Sequence, residues 1–393
     1  MKPSVLAVPA ALLLVAAGTA TATSSPADQG PDHRYRVSIL DALSGPRAFG
    51  AAINSRGLVA GASTTDNGKL HATIWRHGEP VDLGTLGGPD ASSAVLWPGT
   101  NDAGAVVGVT QTDDVDPNDE PWSCGAFLPA RIGYACVGFV WRHGEMRALP
   151  TLGGTHGFAT DVNNRGQIVG WAENQVEDPD CNPESGQVLQ FRAVRWDHYG
   201  RRTTELPPLA GDGVSSATAI NDDGRVVGIS GICDQAVGRL SARNPVVWDH
   251  GKPRLLPDLG GLAWDTPMAI NERGDAVGFA NRSAADGQSF RPLPVLWTAD
   301  GKLHKLALPD GYAFGQALGI NKRREVVGVA LSPDFTKCTA MLWRDGKMVV
   351  LQDEVRPTSL DLCNANHINN RGQITGEATD RDSGKVVGFV LRP

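Results

Sequence analysis

The chain has 393 residues, with 47 Gly, 26 Pro, 43 acidic and 36 basic side chains and a net charge of −7. No basic run or stripe is present, so nucleic acid is not an expected partner. The apolar run from Val5 to Ala17 is too short to cross a bilayer, and no longer one follows it.

Residues 1–22 read as a secretory signal peptide: Lys2, the apolar run, then Ala20-Thr21-Ala22 as a small-residue cleavage site. This makes the expected location secreted and extracellular. Residues 23–34 are polar and are expected to form a flexible leader. Residues 35–393 carry one kernel, Ile/Val-Asn-x-x-Gly-x-Val-Val-Gly with variations, from end to end. Its Asn recurs at Asn54, Asn101, Asn163, Asn221, Asn271, Asn321 and Asn369, in steps of 47, 62, 58, 50, 50 and 48 residues. A period near 50 signals a propeller or similar array whose units share interfaces.

Each copy divides into four short strands. In the third, Phe158 to Val162 leads into the turn Asn163-Asn164-Arg165-Gly166, where Asn tolerates and Gly supplies positive φ. Gln167 to Ala172, Phe191 to Trp196 and Thr203 to Leu206 follow. The expected fold is therefore all-β, a seven-bladed β-propeller of four-stranded blades. A Trp recurs on the third strand (Trp75, Trp141, Trp196, Trp248, Trp297, Trp343) and reads as packing between blades. His77, His143, His198 and His250 occupy one repeated turn and read as surface residues rather than a metal set. The seventh copy ends at Leu391 without a fourth strand. Tyr35 to Leu40 is placed to supply it and close the ring, removing the sheet edges.

Six cysteines in an exported chain favour disulfides. All lie outside the kernel; Cys124 and Cys136 share one insertion, and adjacency of blades makes Cys181–Cys233 and Cys338–Cys363 the natural pairs beside them among the fifteen possible connectivities. The insertions Thr110 to Val137, Glu173 to Gln190, Ser230 to Asn244 and Asn281 to Leu293 all fall on the face opposite the Asn turns. Long loops on one side of a rigid scaffold commonly carry function.

Candidate ligand-binding residues on that face are Trp97, Trp122, Trp171, Trp264, Tyr312, Phe314 and His156, since aromatics beside polar groups suit stacking on sugar rings. Packing of the insertions explains them equally well. Asp161 and His367 break a run of small residues two places before the kernel Asn. They are the candidate catalytic pair, a carboxylate and an imidazole near the axis, although solvated channel lining is the commoner reason for such groups. Asp114, Asp116 and Asn118 alternate like ligands of a calcium loop, without its Gly and terminal Glu. An ordinary acidic loop explains them slightly better. Calcium is the one cofactor the sequence suggests.

Leu-Gly-Gly, then the kernel, then His71-Ala72-Thr73-Ile74-Trp75 resembles the bacterial extracellular HAF-repeat family, with Thr73 where Phe is usual. The resemblance spans the mature chain and implies an exported, propeller-like protein; it implies no particular activity. Two functions remain. One is a secreted binding module, expected as a monomer, for a glycan or other flat ligand on the looped face. The alternative is a secreted enzyme, a polysaccharide lyase or hydrolase or a natural-product-modifying enzyme, with its site at the channel mouth.

Overall fold

In the computed structural model the described residues are 34–120, 124–129, 133–181, 186–234 and 238–393. The signal peptide and all but the last residue of the leader lie outside them. Seven four-stranded antiparallel sheets form a seven-bladed propeller. Blade 1 comprises β2 (Ala48–Ile53), β3 (Val59–Thr64), β4 (Leu70–Arg76) and β5 (Glu79–Asp82). Blade 2 runs from β6 (Ser93–Ala94) through β7 (Val106–Val115) and β8 (Tyr134–Arg142) to β9 (Glu145–Ala148). Blades 3 to 6 follow in the same order: β10–β13 (157–206), β14–β17 (214–255), β18–β21 (261–305) and β22–β25 (314–350).

Blade 7 is composite. β26 (Leu360–Ile368), β27 (Ile374–Asp380) and β28 (Val386–Arg392) are completed by β1 (Arg36–Leu40). β1 pairs antiparallel with β28 from Arg36↔Arg392 to Leu40↔Gly388, which closes the ring as expected. Tyr35, one residue before β1, bridges Val355 instead.

The repeated residues explain why the blades form. The third-strand tryptophans are buried, and the indole N–H of five of them donates to a carbonyl in the preceding connection: Trp75 to Asp41, Trp196 to Pro150, Trp248 to Pro207, Trp297 to Pro257 and Trp343 to Ala307. Each ring thus packs while its one polar atom is satisfied. The kernel's last Gly permits close approach of strands: a Cβ on Gly170 would lie 1.9 Å from the Phe158 carbonyl oxygen. The turn histidines sit at φ 49–54°, the left-handed first position of tight hairpins, and His250 is 95% exposed, as befits a surface turn.

Two departures concern the insertions. In blade 3 the second and third strands reach Ile168–Glu177 and Leu189–Asp197, longer than the kernel alone suggested, because the insertion continues the ladder beyond the blade. The blade 5 insertion includes a short helix, Ala284–Gln288, capped by the Ser283 hydroxyl accepting from Asp286 N–H. The disulfides are Cys124–Cys136, Cys181–Cys233 and Cys338–Cys363, the three expected pairs.

Candidate functional site

The Asn-turn face is closed by the kernel asparagines themselves. Each side-chain amide donates to the backbone carbonyl of the next blade's Asn: Asn54 to Asn101, Asn101 to Asn163, Asn163 to Asn221, Asn221 to Asn271, Asn271 to Asn321, Asn321 to Asn369, and Asn369 back to Asn54. The circuit is unbroken. Each side-chain oxygen meanwhile accepts N–H groups of its own turn, as Asn163 does from Arg165 and Gln167. One residue along, backbone N–H groups of Ser55, Asp102, Asn164 and Asp222 donate to side chains of Asp102, Asn164, Asp222 and Glu272, one blade ahead.

Inside these rings lies a polar cavity of about 130 Å³, lined by Asp102, Asp161, Asp222, Glu272, Lys322 and His367 among others. Asp161 and His367 are thus brought to one cavity, but neither is a free acid or base. Asp161 follows a β-bulge at Thr160, and its carboxylate accepts N–H from Val162 and, across the blade boundary, from Ile220. His367 Nδ1 accepts the N–H of Ile53 in the equivalent place on blade 1. Burial pushes the Asp161 carboxyl up to about 7 against those hydrogen bonds, and pushes the His367 imidazole down to about 4. Both side chains perform one task, linking the first strand of one blade to that of the next.

The insertion face differs. Of the expected exposed aromatics, Trp97 (4% exposed), Trp171 (1%) and Phe314 (6%) are buried in an apolar cluster drawn from blades 1 to 6. They present no stacking surface there; their rings fill space left by the small residues of the first strands. Trp122 lies outside the described residues. Trp264 and Tyr312 are half-buried, and two rings that the repeat pattern had not singled out join them, Phe290 and Phe335. Trp264 meets Phe290 edge-on at 4.9 Å, Phe335 stacks on Phe314 at 5.3 Å, and Arg291 caps Phe314 at 5.6 Å. The two ring pairs form a strip across blades 5 and 6, joined through Arg291, which follows Phe290 in the chain, while Tyr312 packs in a separate cluster with Leu306 and Leu308. Trp264, Phe290 and Phe335 all hold left-handed backbone, at φ 57°, 48° and 59°. This conformation is rare for bulky residues and costs free energy that the surrounding structure must offset. No periodic signal marks such positions, because they lie in the parts of each repeat that do not repeat.

Behind Trp264, Asp265 is fully buried. Its Oδ1 accepts the N–H of Asn281, whose amide donates to the Trp264 carbonyl, and its Oδ2 has no hydrogen-bond partner. Burial pushes this carboxyl up to about 8, so it is protonated at neutral pH.

On blades 2 and 3 the acidic insertion folds inward at two points. Asp114 is exposed, whereas Asp116 and Glu120 are buried against His156. Asn118 donates to both, through its backbone N–H to Asp116 and its side chain to Glu120. The three residues singled out by alternation are therefore not gathered: Asp114 points away, and Glu120 and His156 take the places beside Asp116. His156, expected to contact a ligand, is 1% exposed. Glu120 was missed because its place is defined by Gln187, Val188 and Leu189 of the next blade, which all donate to its Oε1.

Among the described residues, no helix is long and apolar enough to cross a membrane. No family model and no curated protein matches the chain. Solved structures align with it at low identity. A streptogramin B lyase aligns over 92% of this chain and 100% of its own, at 11% identity and a TM-score of 0.44. A lectin of Aleuria aurantia aligns over 66% and 78%, at 11% and 0.35. An oligogalacturonate lyase in complex with manganese aligns over 84% and 76%, at 11% and 0.37. None of these alignments carries an argument about this chain, which its own sheets make an all-β, seven-bladed propeller.

Proposed function

We propose that the protein is an exported binding module that holds a glycan or other flat ligand on its insertion face. The observation that carries this reading is the set of half-buried Trp264, Phe290 and Phe335, three aromatics kept in left-handed backbone and packed against one apolar cluster, Trp264 on Phe290 and Phe335 on Phe314. An outlier of this kind supports a functional role when the fold does not need it. Rings flanked by the Arg291 guanidinium suit a ligand with a flat apolar face and hydroxyl edges. Export is supported by the three disulfides, which persist in oxidising surroundings. The test is retention on a panel of immobilised glycans by the mature, oxidised protein. A retained glycan should quench or shift tryptophan fluorescence on titration. A panel with no retention, together with a flat fluorescence titration, would remove the reading.

One observation favours the enzyme alternative. Asp265, buried directly behind Trp264, has an Oδ2 without a hydrogen-bond partner and a carboxyl that burial pushes up to about 8. Turnover of a polysaccharide or natural product that disappears in Asp265→Asn, with the fold kept, would move the assignment to catalysis.

A further inference from the structure

The buried cluster on blades 2 and 3 is independent of the aromatic strip. Asp116 and Glu120 are 7% and 0% exposed, and among the described residues no Lys or Arg forms an ion pair with either. His156 is the obvious counter-charge, with Nε2 3.2 Å from Asp116 Oδ2. Its other nitrogen argues otherwise. Nδ1 accepts the N–H of Cys136 at 3.1 Å, so Nδ1 carries no proton and the ring is neutral. The proton then sits on Nε2, which is buried, aimed at the two carboxylates, and out of line for a hydrogen bond to Asp116. A protonated Nδ1 would face the Cys136 N–H head-on. Asp116, Glu120 and Glu173, a third buried carboxylate that accepts the His156 backbone N–H and shares the Gln187 amide with Glu120, are therefore gathered about an Nε2–H without an acceptor, and a hydrated cation meets both the charge and the N–H.

We propose that Asp116 and Glu120 bind a calcium ion, with His156 Nε2–H holding a water of its coordination shell. The tautomer decides the metal class. Zinc and its neighbours would take Nε2 directly, which moves the ring proton to Nδ1, against the Cys136 N–H. A hard cation uses oxygens alone, and Asp116 Oδ1 and Glu120 Oε2 each carry a single hydrogen bond, leaving lone pairs for it. The ion would pin the blade 2 insertion onto the loop before β10 and onto 187–189 of blade 3.

The test is calorimetric titration of calcium into the mature, oxidised, chelator-treated protein, with zinc in parallel. The expected result is one calcium ion per chain and a melting temperature that rises with calcium. Asp116→Asn and Glu120→Gln should each weaken binding by more than the roughly 10–100-fold that loss of an outer-shell partner costs. His156→Gln, whose amide still donates, should stay within that outer-shell range. Should one acidic variant fail to fold, the other and the wild-type isotherm still decide. Absence of calcium binding by the folded wild type at millimolar calcium would overturn the proposal. So would one zinc ion per chain that is lost in His156→Gln, or calcium binding unchanged in both acidic variants.

Discussion

The two faces of this propeller use polar groups in opposite ways. On the Asn-turn face every kernel Asn is consumed: its amide reaches the next blade and its oxygen holds its own turn, seven times over. Even Asp161 and His367, the two residues that break the small-residue run, are spent on blade-to-blade hydrogen bonds. On the insertion face groups are left over: Asp265 Oδ2 and His156 Nε2 are buried without hydrogen-bond partners, and three aromatics sit in left-handed backbone. A circuit that satisfies every member rigidifies and specifies a fold. Unsatisfied groups held on such a frame are where ligands are to be sought. The chemically richer residues near the axis are thus employed in tying the blades together.

The comparison can be broken first at the ring seam. Deleting residues 35–40 removes the Arg36–Leu40 ladder and the burial of Leu40 and Tyr35, each side chain contributing about 1.5–3 kcal/mol. Unfolding should shift by well over about 5 kcal/mol once the lost ladder bonds are added. An unchanged melting curve would show that closure does not support the ring.

Next comes the Asn circuit. Asn163→Ala removes the bond to Asn221 and both turn bonds at a site 5% exposed. Buried donors and acceptors left unmet cost about 1–3 kcal/mol each, so a loss of roughly 3 kcal/mol in denaturant unfolding is expected. Asn164→Ala, one residue on and more exposed, should cost less than about 1 kcal/mol. Equal effects would dissolve the distinction between the inner circuit and the outer one.

The pH dependence sharpens the other side. Asp265 has its folded pKa raised from 3.8 to about 8, so the folded state holds this proton more tightly than the unfolded chain. Its contribution to stability is therefore fullest below pH 3.8, declines as pH rises towards 8, and is flat above. Asp265→Asn, which cannot ionise and still accepts from Asn281, should lose less stability between pH 5 and 9 than the wild type. Parallel curves for the two proteins would mean that Asp265 is ionised in the folded state.

An effect smaller than that of Asn163→Ala is expected at the candidate acid–base pair. His367→Ala leaves the Ile53 N–H without its acceptor, a cost of about 1–2 kcal/mol, and should leave ligand retention untouched. Loss of retention at normal stability would return function to the channel mouth.

How much of this was legible follows from what repeats. The kernel spacing carried the blade number, and the missing fourth strand after Leu391 carried the closure by β1, because strand alternation and turn chemistry are local. Two disulfides followed from adjacency of blades and the third from a shared insertion. The Asn circuit was not legible: Asn163 reads as a turn residue, and its amide's partner stands 58 residues away with no mark of its own. Trp97 and Trp171 looked exposed because they fall outside the kernel, yet large rings near small first-strand residues fill the space those residues leave. Phe290, Phe335 and Glu120 depend on loop backbone and on neighbours from other blades, neither of which periodicity encodes.

The most direct measurement is the affinity of a retained glycan for four proteins side by side: wild type, Trp264→Ala, Phe335→Ala and Lys322→Ala, each with its melting curve. The account predicts at least about tenfold weaker binding in the two aromatic variants, in line with the loss of a stacking ring, and no change in Lys322→Ala at the channel mouth. Full affinity in both aromatic variants, with binding lost in Lys322→Ala, would contradict it and place the ligand on the Asn-turn face.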